Sequence, residues 1–469
     1  MTITENTHPP ISTPAASPTA SLTSPPRRSP APRGTALRSS TLAGMALAAT
    51  LALVSCGSAL GAPGTTHTET SANHASGNHD HESTEVETPQ SRLVLTHDGG
   101  MTVLDASTGK PVAELDLSGF NRVNPAGDGR HVLVSTTGGF QVLDAGSWSE
   151  AHGEHHHYFT GTPALEELKF PATTPGHAVN HGGVTALFDD GTGAVNIFTP
   201  SDLGGDSLPP TQEYKTSAAH HGVAVQLTNG RLLVTDGTSE SRKGAKLLDA
   251  PDAKGARAVL AESSDCPGVH GEATAKGEAL VLGCEDGLLL IKDSTFTKIA
   301  SPDAYGRIGN QAGSDVSTVV LGDYKKDKNA ELERPNSFSL TDTASGKLTL
   351  VPIDYSYSFR SLARGGDGAA LMLGTDGKLH VYNPDTGKES AAVDIMAAWE
   401  EPLDWQQPRP AIFAAGSVAY VSDPAKKMIH TVDLASAKVT ASHPLDHVPN
   451  EITAVSGLSA VAGADNSAH

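Results

Sequence analysis

The chain has 469 residues, with 33 Lys and Arg against 53 Asp and Glu, a net charge of −20, and 4% aromatic residues. So acidic a protein is a poor partner for nucleic acid and favours cations in a general way. Abundant Gly and β-branched residues with little Lys point to an all-β fold with many turns.

Residues 1–37 are rich in Pro, Ser and Thr and hold Arg27, Arg28 and Arg33, with Glu5 as their one acidic residue. Arg38 leads into an apolar run, Leu42 to Val54, that ends Leu53-Val54-Ser55-Cys56. A basic region, a short apolar core and small residues before a cut make residues 1–55 a secretory signal peptide. Cysteine directly after the cut resembles a bacterial lipobox, which implies that Cys56 carries lipid and anchors the chain to the extracytoplasmic face of the cell membrane. The apolar run is short for a spanning helix, so an uncleaved anchor is the lesser reading. The long stretch before Arg38 points to a later translation start. From Cys56 onward the chain holds 29 basic and 52 acidic residues, a net charge of −23.

Residues 56–90 read as a disordered tether, too polar to bury a core. It carries His67, His74, His79 and His81, four imidazoles within fifteen residues, a composition suited to weak metal capture.

From residue 91 to 460 one pattern recurs: an alternating strand, a Gly or Asp turn, another strand, then Asp-x-x-x-Gly. LVLTHDGGMTVLDASTGK (93–110), HVLVSTTGGFQVLDAGSW (131–148) and ALMLGTDGKLHVYNPDTGK (370–388) are examples. Period-two alternation with hairpin turn residues predicts strands, and no segment sustains a helical period. Eight units start near 92, 121, 175, 219, 268, 305, 358 and 408, close to the roughly 40–45 residues of a propeller blade. The expected fold is an all-β, eight-bladed propeller, with seven blades as the alternative. The first unit lacks an inner strand, and Glu451–Leu458 is spare; pairing them would close the ring and remove open edges. Residues 461–469 read as a flexible tail. Insertions at 148–174, 200–218, 322–335 and 396–408 are expected to be loops. Asp323-Tyr324-Lys325-Lys326 reads as solvated, and Trp399 and Trp405 as packing over a blade edge.

Three consecutive units place histidine at or just before the first strand: PGHAV (175–179), AHHGVAV (219–225) and GVHGEAT (268–274). First strands of neighbouring blades converge on a propeller's axis, so His177, His221 and His270 are expected to share one ion, zinc by preference. His220 is the alternative to His221, since adjacent strand residues face opposite ways. His181 offers a fourth ligand, and Glu272 could orient an imidazole. The insertion after the second unit holds His152, His155, His156 and His157, a second candidate site on a flexible loop. Cys266 and Cys284 fall in one unit: an exported pair reads as a disulfide, although Cys266 and His270, four apart, would also suit a ligand pair. His380, His430, His443 and His447 share no register and receive no role. No nucleophile elbow or phosphate loop occurs.

Seven stretches resemble the AztD family: GFNRVNPAGDGRHVLVSTTGGFQVLD (119–144), AHHGVAV, CPGVHGEAT (266–274), DAYGRIGNQAGSD (303–315), YSFRSLARG (357–365), EEPLDWQQPRPA (400–411) and HVPNEI (447–452). The resemblance implies a propeller outside the cytoplasmic membrane that holds Zn2+ and passes it directly to the solute-binding protein of a zinc ABC transporter. It also implies a His-rich flexible N-terminal segment, matched by His67, His74, His79 and His81. Such a protein is not an enzyme and is expected to be a monomer. The rival classes are a lactonase-like metal-dependent hydrolase using the same histidines with Glu272 as base, and a propeller scaffold for protein contacts.

Overall fold

Each repeat turns on one local device. In Asp105–Gly109 the Asp105 carboxylate accepts the backbone N–H groups of Ser107 (3.1 Å) and Thr108 (2.9 Å). Gly109 then donates to the Asp105 carbonyl at 2.8 Å. Its φ of +65° is one that side chains other than glycine's disfavour. Asp342–Gly346 repeats both bonds, so the Asp-x-x-x-Gly signature is a turn-forming motif with a stated mechanism.

The computed structural model describes residues 83–459. The signal peptide, Cys56, His67, His74, His79, His81 and the 461–469 tail lie outside the described residues. Among the described residues the only helical element is a single 3-10 turn, Pro200–Asp202, and no helix is long and apolar enough to cross a membrane.

Among the described residues eight sheets of antiparallel strands follow one another, each built around four strands; the fifth adds Gly306–Arg307 in parallel. A small ninth sheet joins Thr84–Val86, Ser147–His152 and His155–Thr160. The first of the eight takes its inner strand from the other end of the chain. Ile452–Val455 pairs antiparallel with Arg92–His97, within the spare segment expected to do so.

Consecutive apolar residues in the middle strands serve two cores at once, because alternate side chains leave opposite faces. Leu93 and Leu95 pack with Phe413, Tyr420 and Ile429 of the last sheet. Val94, between them, packs with Val132 and Val134 of the second. Leu133 in turn joins Phe140, Phe170 and Phe198. The described residues hold eight such clusters, each lying mainly between two successive sheets. Outer strands have only one partner face, and Lys438–Pro444 alternates exposed and half-buried residues along its length. Each buried Leu or Phe contributes about 1.5–3 kcal/mol by removal from water.

Three expectations need correction, one of them at 200–218, where Gln212–Lys215 is the outer strand of the third sheet. The 148–174 insertion is not a loop: Ser147–His152 and His155–Thr160 form a hairpin, and Ala164–Pro171 is the outer strand of the second sheet. Thr84–Val86, inside the segment read as disordered tether, is a strand paired with that hairpin. Trp148 and Phe159, paired across the hairpin with rings stacked at 5.6 Å, give it an apolar side.

Candidate metal centre

His177 lies in the strand Pro175–His181, His221 just before Ala224–Gln226, and His270 at the start of His270–Ala275. These are the inner strands of the third, fourth and fifth sheets. Two of the three strands are bulged at the histidine: the ladder shifts register between Pro175 and Ala178, and again between His270 and Glu272. A bulge re-aims a side chain that regular pleating would commit to one face.

The result is a cluster. Ring centroids are 5.2 Å apart for His177 and His221, 5.8 Å for His177 and His270, and 5.0 Å for His221 and His270. One nitrogen from each ring lies within 4.8 Å of the others. The Nδ1 atoms are oriented by oxygen. His221 Nδ1 is 2.5 Å from Asp190 Oδ2, His270 Nδ1 donates to the Gly309 carbonyl at 2.6 Å, and His177 Nδ1 faces Glu272 Oε2 at 3.4 Å. At His221 and His270 the bond from Nδ1 sets the tautomer and leaves Nε2 with its lone pair free for an ion.

The supports are themselves held. Asp190 also accepts the Gly222 N–H at 3.2 Å, and any Cβ on Gly222 would come within 2.3 Å of the Phe188 ring. Asp323, buried, accepts the N–H groups of Gly309 (2.7 Å) and Asn310 (3.0 Å), which fixes the carbonyl that His270 uses. Burial pushes the Asp323 carboxyl up. The reading of 323–326 as solvated is therefore wrong at its first two positions: Tyr324 is also buried, and its hydroxyl donates to Asp303 at 2.7 Å. A buried Asp is tolerated because backbone donors pair it.

Burial and the neighbouring His177, followed by His221 and Arg307, hold His270 well below the usual imidazole range, against the opposing pull of the Gly309 carbonyl. A neutral imidazole is the form a metal needs. The site is not sealed. Side-chain exposure is 20% at His177 and 38% at His221, so access runs from the His221 side. Three imidazole nitrogens brought this close suit Zn2+.

Other candidates separate from this cluster. His220 is not in it: its Nδ1 bonds the Ala218 carbonyl and its Nε2 the Thr235 hydroxyl, both at 3.0 Å. His220 is buried with its ring against Phe188, centroids 5.1 Å apart. His181 sits at the far end of its strand with Nε2 3.0 Å from Glu278 Oε1, so it supplies no fourth donor. Cys266 and Cys284 are joined as a disulfide with Cα atoms 5.0 Å apart, which removes Cys266 as a ligand and ties down the turn before His270.

The second His group is narrower than the sequence suggested. His152 pairs with His155 across the hairpin, and strand alternation puts His157 on the same face. His155 Nε2 and His157 Nε2 are 3.2 Å apart, and the three rings offer nitrogens within 4.8 Å. His157 Nδ1 is 2.5 Å from Glu85, on the strand that ends the tether segment. His156 pairs with Ala151 and faces the other way.

Sequence reasoning missed Asp190, the Gly309 carbonyl and a third group. His97, Glu114 and His447 bring their donor atoms within 4.8 Å of one another. Their signal was the expected pairing of residues 451–458 with the first unit, which carries His447 toward the end of Arg92–His97. Elsewhere, Trp399 donates to the Gly374 carbonyl at 2.9 Å, whereas Trp405 is half-exposed with its edge against Phe120.

No protein-family model matches the chain. It is 26% identical over 397 residues to a protein of Citrobacter koseri described as the zinc chaperone AztD, covering 80% of this chain and 89% of the relative. A crystal structure of Citrobacter koseri AztD matches with a TM-score of 0.67 at 25% identity, over 80% of this chain and all of that one. The apo form from the same organism matches with a TM-score of 0.66 at 24% identity, over 79% of this chain and 98% of that one. The folded part of the chain is thus similar over most of its length to a protein described as a zinc chaperone.

Proposed function

We propose that this protein is a zinc metallochaperone that holds Zn2+ between His177, His221 and His270 and hands it to the solute-binding protein of a zinc ABC transporter. The observation that carries this reading is the set of three imidazoles from three successive sheets, each with Nδ1 facing an oxygen. The homology to a zinc chaperone supports the choice of ion. The eight sheets are read as blades of one ring, closed by Ile452–Val455; the eight cores, the last joining the last sheet to the first, support that count.

The same reading places the chain outside the cytoplasm, with residues 1–55 as leader, Cys56 lipidated and the following residues as tether. A membrane-held carrier would meet its receiving protein at the surface where the transporter sits. His67, His74, His79 and His81, with His152, His155 and His157, would gather zinc for the central site.

Transfer without release requires ligand exchange in a docked complex. A donor from the receiving protein would enter beside His221, whose ring is more exposed than that of His177. Metal-free protein should bind one Zn2+ tightly by calorimetry, and H177A/H221A/H270A should lose that event. Mixed with the metal-free solute-binding protein in excess chelator, the loaded chaperone should deliver zinc faster than it loses zinc to the chelator alone. Equal rates would refute transfer, and unchanged tight binding in the triple variant would refute the site.

A further inference from the structure

Away from the metal centre, a cavity of about 380 Å3 lies between the second sheet, residues 203–205 and the hairpin of residues 147–160. Its size falls within the roughly 300–1,000 Å3 of small-molecule sites. His131 opens the second strand of that sheet, beside the end of the inner one, where Pro125 pairs with Val132. His177 and His270 sit where their inner strands begin, so cavity and metal centre occupy opposite ends of their sheets.

One wall of the cavity is a fixed imidazole. The His131 side chain is 3% exposed, and its Nδ1 bonds Asp128 Oδ2. The other oxygen of Asp128 accepts the N–H groups of Arg130 (3.0 Å) and His131 (2.8 Å). Burial tends to raise the Asp128 carboxyl, but the His131 ring and these two N–H groups outweigh it and hold it down. An ionised Asp128 accepts from Nδ1–H, so Nε2 keeps the lone pair. Among the described residues no hydrogen bond reaches Nε2, although the ring lines the cavity. The ring edge faces Gly204, where a Cβ would come 3.6 Å from Cε1 and 4.0 Å from Nε2. A Cβ on Gly205 would touch nothing, so the two glycines leave the space before the nitrogen open. A buried nitrogen without a partner is costly, and this one calls for a donor inside the cavity.

The charges in the wall do not balance. Arg130 is already committed: its Nε and Nη2 bond Asp144 at 3.0 and 2.5 Å, and its guanidinium lies 4.1 Å from the Trp148 ring centre. Glu150 accepts the Trp148 indole N–H at 3.3 Å and pairs with no cation among the described residues. Glu166 likewise lines the cavity with no cation paired to it among the described residues. It falls in a bulge, where the ladder to the third strand shifts between Leu165 and Lys169. A bulge frees a side chain from the pleat and re-aims it. Two unpaired carboxylates beside a hydrogen-bond acceptor select a cation that carries N–H donors. A bare ion does not fit this spacing, since His131, Glu150 and Glu166 do not bring donor atoms within 4.8 Å of one another, as the His177 cluster does.

We propose that this cavity binds a small aliphatic amine, with one N–H on His131 Nε2 and a cationic group between Glu150 and Glu166. Nothing in this site depends on zinc at the His177 cluster.

The test is calorimetric titration of the metal-free full chain with putrescine and with agmatine, and with glutarate as an anion of similar length. Saturable one-to-one binding of an amine, and none of glutarate, is expected. E150Q/E166Q should weaken amine binding by about tenfold or more, as the loss of charge-assisted bonds requires. Glu150 is exposed and Glu166 half-buried, so this variant should keep the wild-type circular dichroism spectrum and zinc affinity. H131F, which keeps the ring shape without its nitrogens, should weaken the amine as well. No saturable binding of either amine, equal amine affinity in E150Q/E166Q, or binding of glutarate instead would overturn this site.

Discussion

His221 Nδ1 and Asp190 Oδ2 stand 2.5 Å apart, although 31 residues and a change of sheet separate them. The carboxylate comes from the turn that ends the second strand of the third sheet, and the imidazole opens the fourth. One sheet therefore orients an imidazole of the next, and the His177 cluster depends on the sheets keeping their mutual register.

Asp190→Asn should keep all three imidazoles yet weaken zinc binding about 10–100-fold, the usual cost of losing an outer partner. Calorimetry against D190N, with far-UV circular dichroism to confirm the fold, checks this. Wild-type affinity in D190N would show that the contact does not orient the ligand.

Gly271 has φ +72°, and a Cβ there would lie 2.4 Å from Gln311 Oε1 and 2.7 Å from the Gly309 carbonyl. G271A should displace that carbonyl from His270 and lower zinc affinity without removing any ligand. Stability should fall too, with about 1–2 kcal/mol coming from the left-handed backbone alone. Zinc titration and urea unfolding read the two effects separately.

The Cys266–Cys284 disulfide closes a loop of 18 residues. Opening it should cost about 3 kcal/mol by the chain-entropy argument. C266S/C284S should therefore unfold at lower urea, and zinc should bind more weakly because the turn before His270 is loosened. An unchanged urea midpoint would contradict this.

Asp105 offers a pH test away from the metal. Burial tends to raise its carboxyl, but bonds from Ser107 and Thr108 and the Arg92 guanidinium, 2.9 Å away, outweigh it and bring it from 3.8 to about 2. A carboxyl depressed in the folded state stabilises the fold above its unfolded value and loses that contribution as protons bind. Thermal stability should thus fall between about pH 4 and pH 2, and D105N should flatten that part of the profile. A D105N profile parallel to wild type would show that another group carries the acid sensitivity.

The sequence made the strand period, the Asp-x-x-x-Gly turns and the register of His177, His221 and His270 legible, because each is a local pattern repeated at blade spacing. The choice between His220 and His221 was not, since it depends on which face the residue before a short strand turns to. Asp190 read as one more turn residue, and the Gly309 carbonyl carries no side-chain signal at all. The His152–His157 run read as a loop because its β-forming neighbours were outweighed by polar composition; pairing with Thr84–Val86 supplied what that segment lacked. His97 and His447 are 350 residues apart, and only the joining of the chain ends makes them neighbours.

X-ray absorption on protein loaded with one equivalent of zinc addresses the tight site most directly. The account predicts three imidazole nitrogens at about 2.0–2.1 Å, falling to two in H221A. A shell of oxygen or sulfur donors, or the same imidazole count in H221A, would contradict it.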